Sequence, residues 1–182
     1  MAPEVAYFSL HTKSYKRYHR NNIMENDEST FEQVYNESAE KYGLPEFEKI
    51  AADFDIEKIQ DKESTFLIRE VRRTINEKIA AYIHLFETLI NPNSPPMFVF
   101  SILRNISTAD KDTIKKIYKA LSRTQIEVMK LDTIYKIEDE VKFINETFII
   151  WQELKPTIYK LIERFESSFD EDDSTKKRSY FG

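Results

Sequence analysis

Residues 64–90, STFLIREVRRTINEKIAAYIHLFETLI, contain the longest continuous helical pattern in the chain. Apolar residues recur every three or four positions from Leu67 to Ile90, which is the spacing of one face of an α-helix. Asn91 and Pro92 end the pattern, because the residue before a proline avoids helical backbone. The stretch predicts a helix of about 27 residues, roughly 40 Å long. Such a helix offers its neighbours one long apolar face.

Capping residues mark helices on both sides of this stretch. Ser29 and Glu32 form a capping-box pattern, in which each side chain accepts the other's backbone N–H. Gly43 stands where a left-handed residue would end a helix. Ser107, with Asp110 three residues later, predicts another helix start. Further helical patterns cover residues 29–42, 44–54, 94–103, 107–128 and 137–165.

Two of these patterns carry specific expectations. The segment MFVFSIL at 97–103 is apolar on nearly all sides, so we expect a short central helix. By itself it could also be a buried strand, but the sequence offers no second strand to pair with it. Pro156 falls inside the last pattern and should kink that helix or split it in two.

The composition favours an all-α protein. With two glycines and six prolines in 182 residues, the chain has little material for the tight turns of a sheet fold. We predict an antiparallel helical bundle of five to seven helices, with flexible tails. Its domain covers residues 29–169, between a flexible basic arm at 1–28 and a disordered charged tail at 170–182.

Several chemistries are excluded by residue type and spacing. The chain has no cysteine, so it forms no disulfides and no thiolate metal sites. Two glycines cannot build the glycine-rich loops that cradle phosphates. Acidic residues at Asp53, Asp55 and Glu57 begin like a calcium loop, but Lys58 replaces the required glycine. No E-x-x-H pair exists for a di-iron site. We therefore expect no cofactor, no metal and no enzymatic activity.

Three arginines on the 64–90 helix form the first candidate site. Arg69, Arg72 and Arg73 lie within five residues and could hold phosphate or a carboxylate-rich partner. We favour the alternative of an internal clasp or a solvated face. In that interpretation the arginines lie opposite the apolar stripe and pair with the acidic segment 25–63, at about 0–1 kcal/mol for each exposed pair.

The N-terminal arm forms the second candidate site. Lys13, Lys16, Arg17 and Arg20 alternate with tyrosines and a histidine, a pattern typical of single-stranded nucleic-acid binding. A solvated tail is the simpler interpretation. The net charge of −5 is unevenly distributed, at −9 over residues 25–63 and +4 over residues 64–132. Any charged partner would therefore meet distinct patches.

The chain also resembles a known group of proteins. Over about residues 30–165 it resembles small all-helical archaeal proteins of unassigned function, which implies a helical bundle and transfers no site residues. We expect a cytoplasmic, non-enzymatic helical interaction or adaptor protein with a protein partner, since no segment could span a membrane. The alternative is a nucleic-acid-associated factor that uses the basic arm and the Arg/Lys-bearing helices. The resemblance rests on the stretches KYGLPEFEKI, FLIREVRRTINEKI, HLFETLINP, DKDTIKKIYKALSRTQIE and FINETFIIWQELK.

Overall fold

The computed structural model describes residues 30–59 and 64–179. In the second range it describes the side chains of residues 66–167. Within these ranges the chain forms six α-helices and one 3-10 turn, and no strand. The predicted all-α bundle of five to seven helices is therefore confirmed. The helices are α1 Phe31–Tyr42, α2 Phe47–Phe54, α3 Ser64–Ile90, α4 Met97–Asn105, α5 Thr108–Thr133 and α6 Ile137–Ser179, with the 3-10 turn at Ile56–Lys58.

The three long helices α3, α5 and α6 form the centre of the bundle. Helix α3 packs along both α5 and α6, while α1, α2 and α4 flank it. Arg72 of α3 reaches Asp132 near the end of α5, whereas Asn76 reaches Gln125. Because the partner numbers fall as the α3 numbers rise, α3 and α5 run antiparallel. None of the described helices is both long and apolar enough to cross a membrane.

The core follows the predicted apolar stripes. On α3, the residues from Leu67 to Ile79 that belong to the stripe are fully buried. Trp151 of α6 packs against Phe54 and Tyr82, with ring centroids 5.6 Å and 5.1 Å apart. The largest fully buried side chains are Tyr35, Phe54, Phe86, Ile50, Ile56, Leu67, Ile68, Ile75, Ile79, Ile114, Ile117 and Leu121.

Local caps set the helix ends as predicted where the structure describes them. Gly43 has φ +70° after α1, and its N–H and that of Leu44 both donate to the Ala39 carbonyl, at 2.8 Å and 3.2 Å. The Leu44 bond is the 6→1 bond of a Schellman motif, and the Gly43 bond is the 5→1 bond of an αL cap. Ser107 Oγ accepts from the Asp110 N–H at 3.1 Å and caps α5. Ser29 lies outside the described residues.

Helix α6 is longer than the sequence pattern suggests. It runs unbroken through Pro156, which is exposed, so the carbonyl that the proline leaves without a partner lies on the solvent side. The expected split does not occur. The helical backbone also continues to Ser179, where the sequence predicts a disordered tail from residue 170. No proline or glycine interrupts the chain between 157 and 179, and the polar residues there are compatible with a helix.

Helix α4 forms as predicted, but its expected central position is wrong. Only Val99 and Ile102 are buried, whereas Met97, Phe98 and Phe100 are 83%, 53% and 51% exposed. A helix of nine residues that packs on the bundle along one side leaves its other sides in solvent. An apolar sequence on all sides of a helix therefore did not mean burial on all sides.

Candidate functional site

Arg72 is the most deeply buried base of the described residues. It is 4% exposed, and its Nε donates to Glu140 Oε2 at 2.8 Å while an Nη donates to Asp132 Oδ1 at 2.8 Å. Glu140 is fully buried at the start of α6, and Asp132 is near the end of α5. Arg72 thus joins three helices at the α5–α6 connection. We call Arg72, Asp132 and Glu140 the arginine clasp.

The two other arginines of the cluster support or flank this clasp. The Nε of Arg69 lies 3.9 Å from Glu140 Oε1, and its guanidinium stacks 4.2 Å above the Tyr135 ring. Arg73 is exposed and pairs with Glu70 on its own helix at 2.9 Å. An external ligand would therefore compete with carboxylates that already hold all three arginines.

The structure corrects two parts of the sequence interpretation. Arg72 does not lie opposite the apolar stripe, and none of the three arginines pairs with the described part of the acidic segment 25–63. The spacing alone indicates that Arg72 is on the buried face. Arg72 follows Ile68 by four residues and precedes Ile75 by three, so it lies on the same face of the helix as they do. Its partners lie 60 and 68 residues away, where spacing gives no information.

A second buried polar cluster surrounds Asp53 at the end of α2. Its carboxylate accepts hydrogen bonds from Lys155 and, at 2.5 Å, from Gln152, both on α6. Lys78 of α3 donates to the Asp53 backbone carbonyl, with its ammonium 5.4 Å from the Trp151 ring. Burial acts to raise the pKa of Asp53, but the hydrogen bonds from Lys155 and Gln152 and the Lys155 charge outweigh it and lower that pKa.

The Asp53 cluster holds the end of α2 against α3 and α6. Both carboxylate oxygens are already engaged, and the side chain is 6% exposed, so no face remains open to a substrate. Sequence analysis considered Asp53 only as a calcium ligand. Across the described residues, no group of three or more histidines, aspartates or glutamates is placed to hold a metal ion.

Helix α4 exposes several large apolar side chains in the described part of the chain. Phe98 lines a groove of about 620 Å³ between α3, α4 and α6, whereas the exposed residues Met97 and Phe100 lie on other sides of α4. We call these residues and the groove together the α4 apolar surface. The only signal for this surface in the sequence is the run of four apolar residues at 97–100, which by itself does not show that some of them are exposed. The groove is lined by Ala81, Tyr82, Leu85, Phe98, Ile102, Ile162, Phe165 and Glu166.

The basic arm cannot be compared with this geometry. Lys13, Lys16, Arg17 and Arg20 lie in residues 1–29, outside the described residues. Their contact with phosphate or nucleic acid therefore stays a prediction.

Comparison with known proteins adds no family. The sequence matches no protein-family model, and neither curated proteins nor solved structures show a significant similarity to it. The resemblance to small all-helical archaeal proteins stays a prediction. Any functional inference therefore comes from the surfaces of this chain alone.

Proposed function

We propose that this chain is a non-enzymatic helical interaction protein, and that the α4 apolar surface binds a partner protein. One observation supports this most directly: Met97, Phe98 and Phe100 fall within four residues and are each more than half exposed. Single exposed apolar residues are ordinary, but three on one short helix, of which Phe98 lines an apolar groove, favour an interaction site. Aromatic residues and methionine are also enriched in protein interfaces.

The groove best fits an amphipathic helix of the partner. It lies between three helices and is lined by apolar side chains, which is the arrangement that binds the apolar face of a helix. The described residues offer no sheet edge to which a strand could add. Glu166 is the only charged residue in the lining, so a helix with a lysine or arginine beside its apolar face would be favoured.

The test compares two triple variants of the full chain. The first changes Met97→Gln, Phe98→Gln and Phe100→Gln. The matched control changes Ile126→Gln, Met129→Gln and Ile134→Gln, which are 57%, 70% and 64% exposed on or just after α5. Because all six side chains are largely in solvent, each change should alter the free energy of unfolding by about 0.5 kcal/mol or less.

Capture of partners is then measured in nuclease-treated extract of the native cell. We expect the wild type and the α5 control to retain the same protein and the α4 variant to lose it. A photo-reactive analogue, Phe98→p-benzoylphenylalanine, should form an adduct with that protein. Capture that survives in the α4 variant, or an adduct only with a second copy of this chain, would overturn the proposal.

A further inference from the structure

The first half of α5 carries a concentration of positive charge on an acidic protein. Between residues 108 and 123 there are five bases, all exposed, and two acids. One of these acids, Asp110, is neutralised by Arg164 of α6 at 2.7 Å. We call the five bases the α5 basic face. They are Lys111, Lys115, Lys116, Lys119 and Arg123.

Within the described ranges, no ion pair involves any residue of the α5 basic face. By contrast, Lys49 pairs with Glu46, Lys58 with Asp55 and Lys142 with Glu146. Lys41, Lys136 and Lys160 are exposed and also lack an ion pair among the described residues, but they lie singly elsewhere in the chain. Helix α5 instead holds five such cations, which can interact with any anion that approaches.

The spacing of these cations suits a regular chain of phosphates. Lys111, Lys115, Lys119 and Arg123 are each four residues apart, so they rise by about 6 Å per step and about 18 Å in all. One duplex strand carries a phosphate about every 3.4 Å along the duplex axis, so a face about 18 Å long spans several phosphates. The flexible lysine side chains let each ammonium approach a nearby phosphate.

We propose that the α5 basic face binds the phosphate backbone of nucleic acid without reading its sequence. This inference goes beyond the proposed function and uses a different surface. The expected phosphate contact is then on α5 and not at Arg72, because the Arg72 guanidinium is buried in the arginine clasp. The five unpaired cations would release counterions from the phosphates on binding, which supplies the affinity.

The surroundings favour nucleic acid over an acidic protein or a membrane. No large apolar side chain between residues 108 and 125 is exposed. A protein interface draws most of its binding energy from buried apolar and aromatic anchors, and a membrane-bound helix needs an apolar face. Contact with a phosphate backbone needs neither. The absence of an exposed aromatic ring in this stretch also removes base stacking, so we expect no sequence preference.

The experiment uses the full chain and a short random-sequence DNA duplex. One variant changes Lys115→Gln, Lys119→Gln and Arg123→Gln, and its control changes Lys41→Gln, Lys49→Gln and Lys58→Gln. Both remove three positive charges and keep the arm at 1–28. We expect affinity for the duplex to fall more than about tenfold in low salt for the α5 variant only. The slope of log affinity against log salt should become shallower by about 2.7, or 0.9 for each lost phosphate contact.

Three outcomes would overturn this proposal. The first is a wild-type chain that does not bind the duplex. The second is an α5 variant whose affinity and salt slope equal those of the control variant. The third is polyglutamate or anionic lipid vesicles that bind as tightly as the duplex and lose binding in the same variant. Circular dichroism of both variants would show that helix content is unchanged, since glutamine and lysine have similar helix propensities.

Discussion

Arg72 is a charged residue on the buried apolar stripe of α3. Its position on the stripe requires burial, and burial of a charge is costly unless a partner is supplied. Asp132 near the end of α5 and Glu140 near the start of α6 supply the opposite charges. The pair therefore fixes the α5–α6 connection against α3. An apolar residue at position 72 would fill the same space without selecting this arrangement.

The first prediction concerns this buried pair. Arg72→Gln should lower the free energy of unfolding by about 3–5 kcal/mol, because Glu140 stays buried with only the more distant Arg69, at 3.9 Å, as a cation. Arg73→Gln is the matched control: Arg73 is 61% exposed and pairs only with Glu70, so its loss should cost about 0–1 kcal/mol. Urea unfolding measures both. Equal losses in the two variants would show that the clasp contributes no more than a surface pair.

A double variant separates the charge from the packing. Arg72→Met with Glu140→Leu removes both charged groups and should recover most of the stability that Arg72→Gln loses. If the double variant is as unstable as Arg72→Gln, shape and not charge compensation is the source of the loss.

The second prediction concerns pH and Asp53. The hydrogen bonds and charge of Lys155 and the hydrogen bond from Gln152 lower the folded pKa of Asp53 below the ordinary pKa of an aspartate. Its contribution to stability is therefore present above that ordinary pKa and is lost as the pH falls through the folded pKa. Asp53→Asn should cost about 1.5–3 kcal/mol at pH 7, as expected for hydrogen bonds to a charged group. The cost is limited because Lys155, whose side chain is 50% exposed, can be hydrated instead.

The measurement is the difference in unfolding free energy between the wild type and Asp53→Asn across pH. The difference should be constant near neutral pH and should shrink below about pH 4. Asp132→Asn is a useful comparison, because Asp132 is 60% exposed. A difference for Asp53 that does not change with pH would exclude its charge as the stabilising feature.

At the scale of elements, the ends of the helices are determined by neighbouring residues, whereas the positions of the helices in the bundle are not. Gly43 ends α1 because its φ of +70° costs glycine nothing, and the next residues then turn back toward α2. Tyr35 of α1 fixes this turn by donating to the Pro45 carbonyl at 2.8 Å, and burial raises the pKa of its hydroxyl. The position of α4, by contrast, depends on which residues of the bundle it packs against.

The third prediction tests the α1 end. Gly43→Ala should destabilise the chain by about 1–2 kcal/mol, the cost of left-handed backbone for a residue with a Cβ. A Cβ at this position would meet nothing within 4 Å, so backbone conformation alone is responsible. Gly43→Asn should cost less, because asparagine tolerates this conformation. Alanine and asparagine variants of equal stability in urea would contradict the assignment of the cost to φ.

At the scale of the whole molecule, the described surface separates charge from apolar character. No large apolar residue is exposed on the α5 basic face. Of the residues that line the groove of the α4 apolar surface, Glu166 alone is charged. Each surface is therefore suited to a different class of partner. Neither uses Arg72 or Asp53, whose polar groups are engaged in holding helices together.

Local signals in the sequence were sufficient to predict each helix, although not the continuity of α6 through Pro156 or its extension to Ser179. The apolar spacing of α3, the glycine at residue 43 and the serine cap at residue 107 each act within one or two helical turns, so they can be recognised without knowledge of the rest of the chain. The same locality explains why the all-α class was predicted from composition and periodicity. It also explains why Arg72 could have been placed on the buried face from its spacing alone.

The tertiary structure decided what those helices meet. The partners of Arg72 lie 60 and 68 residues away, and those of Asp53 on α6 lie 99 and 102 residues away. No periodicity encodes such pairs, because they depend on which helix faces pack together. The exposure of α4 is decided in the same way: its sequence is apolar enough for burial, but the bundle covers only the side that holds Val99 and Ile102. Sequence thus determined the apolar faces, and packing determined which of them remained open to a partner.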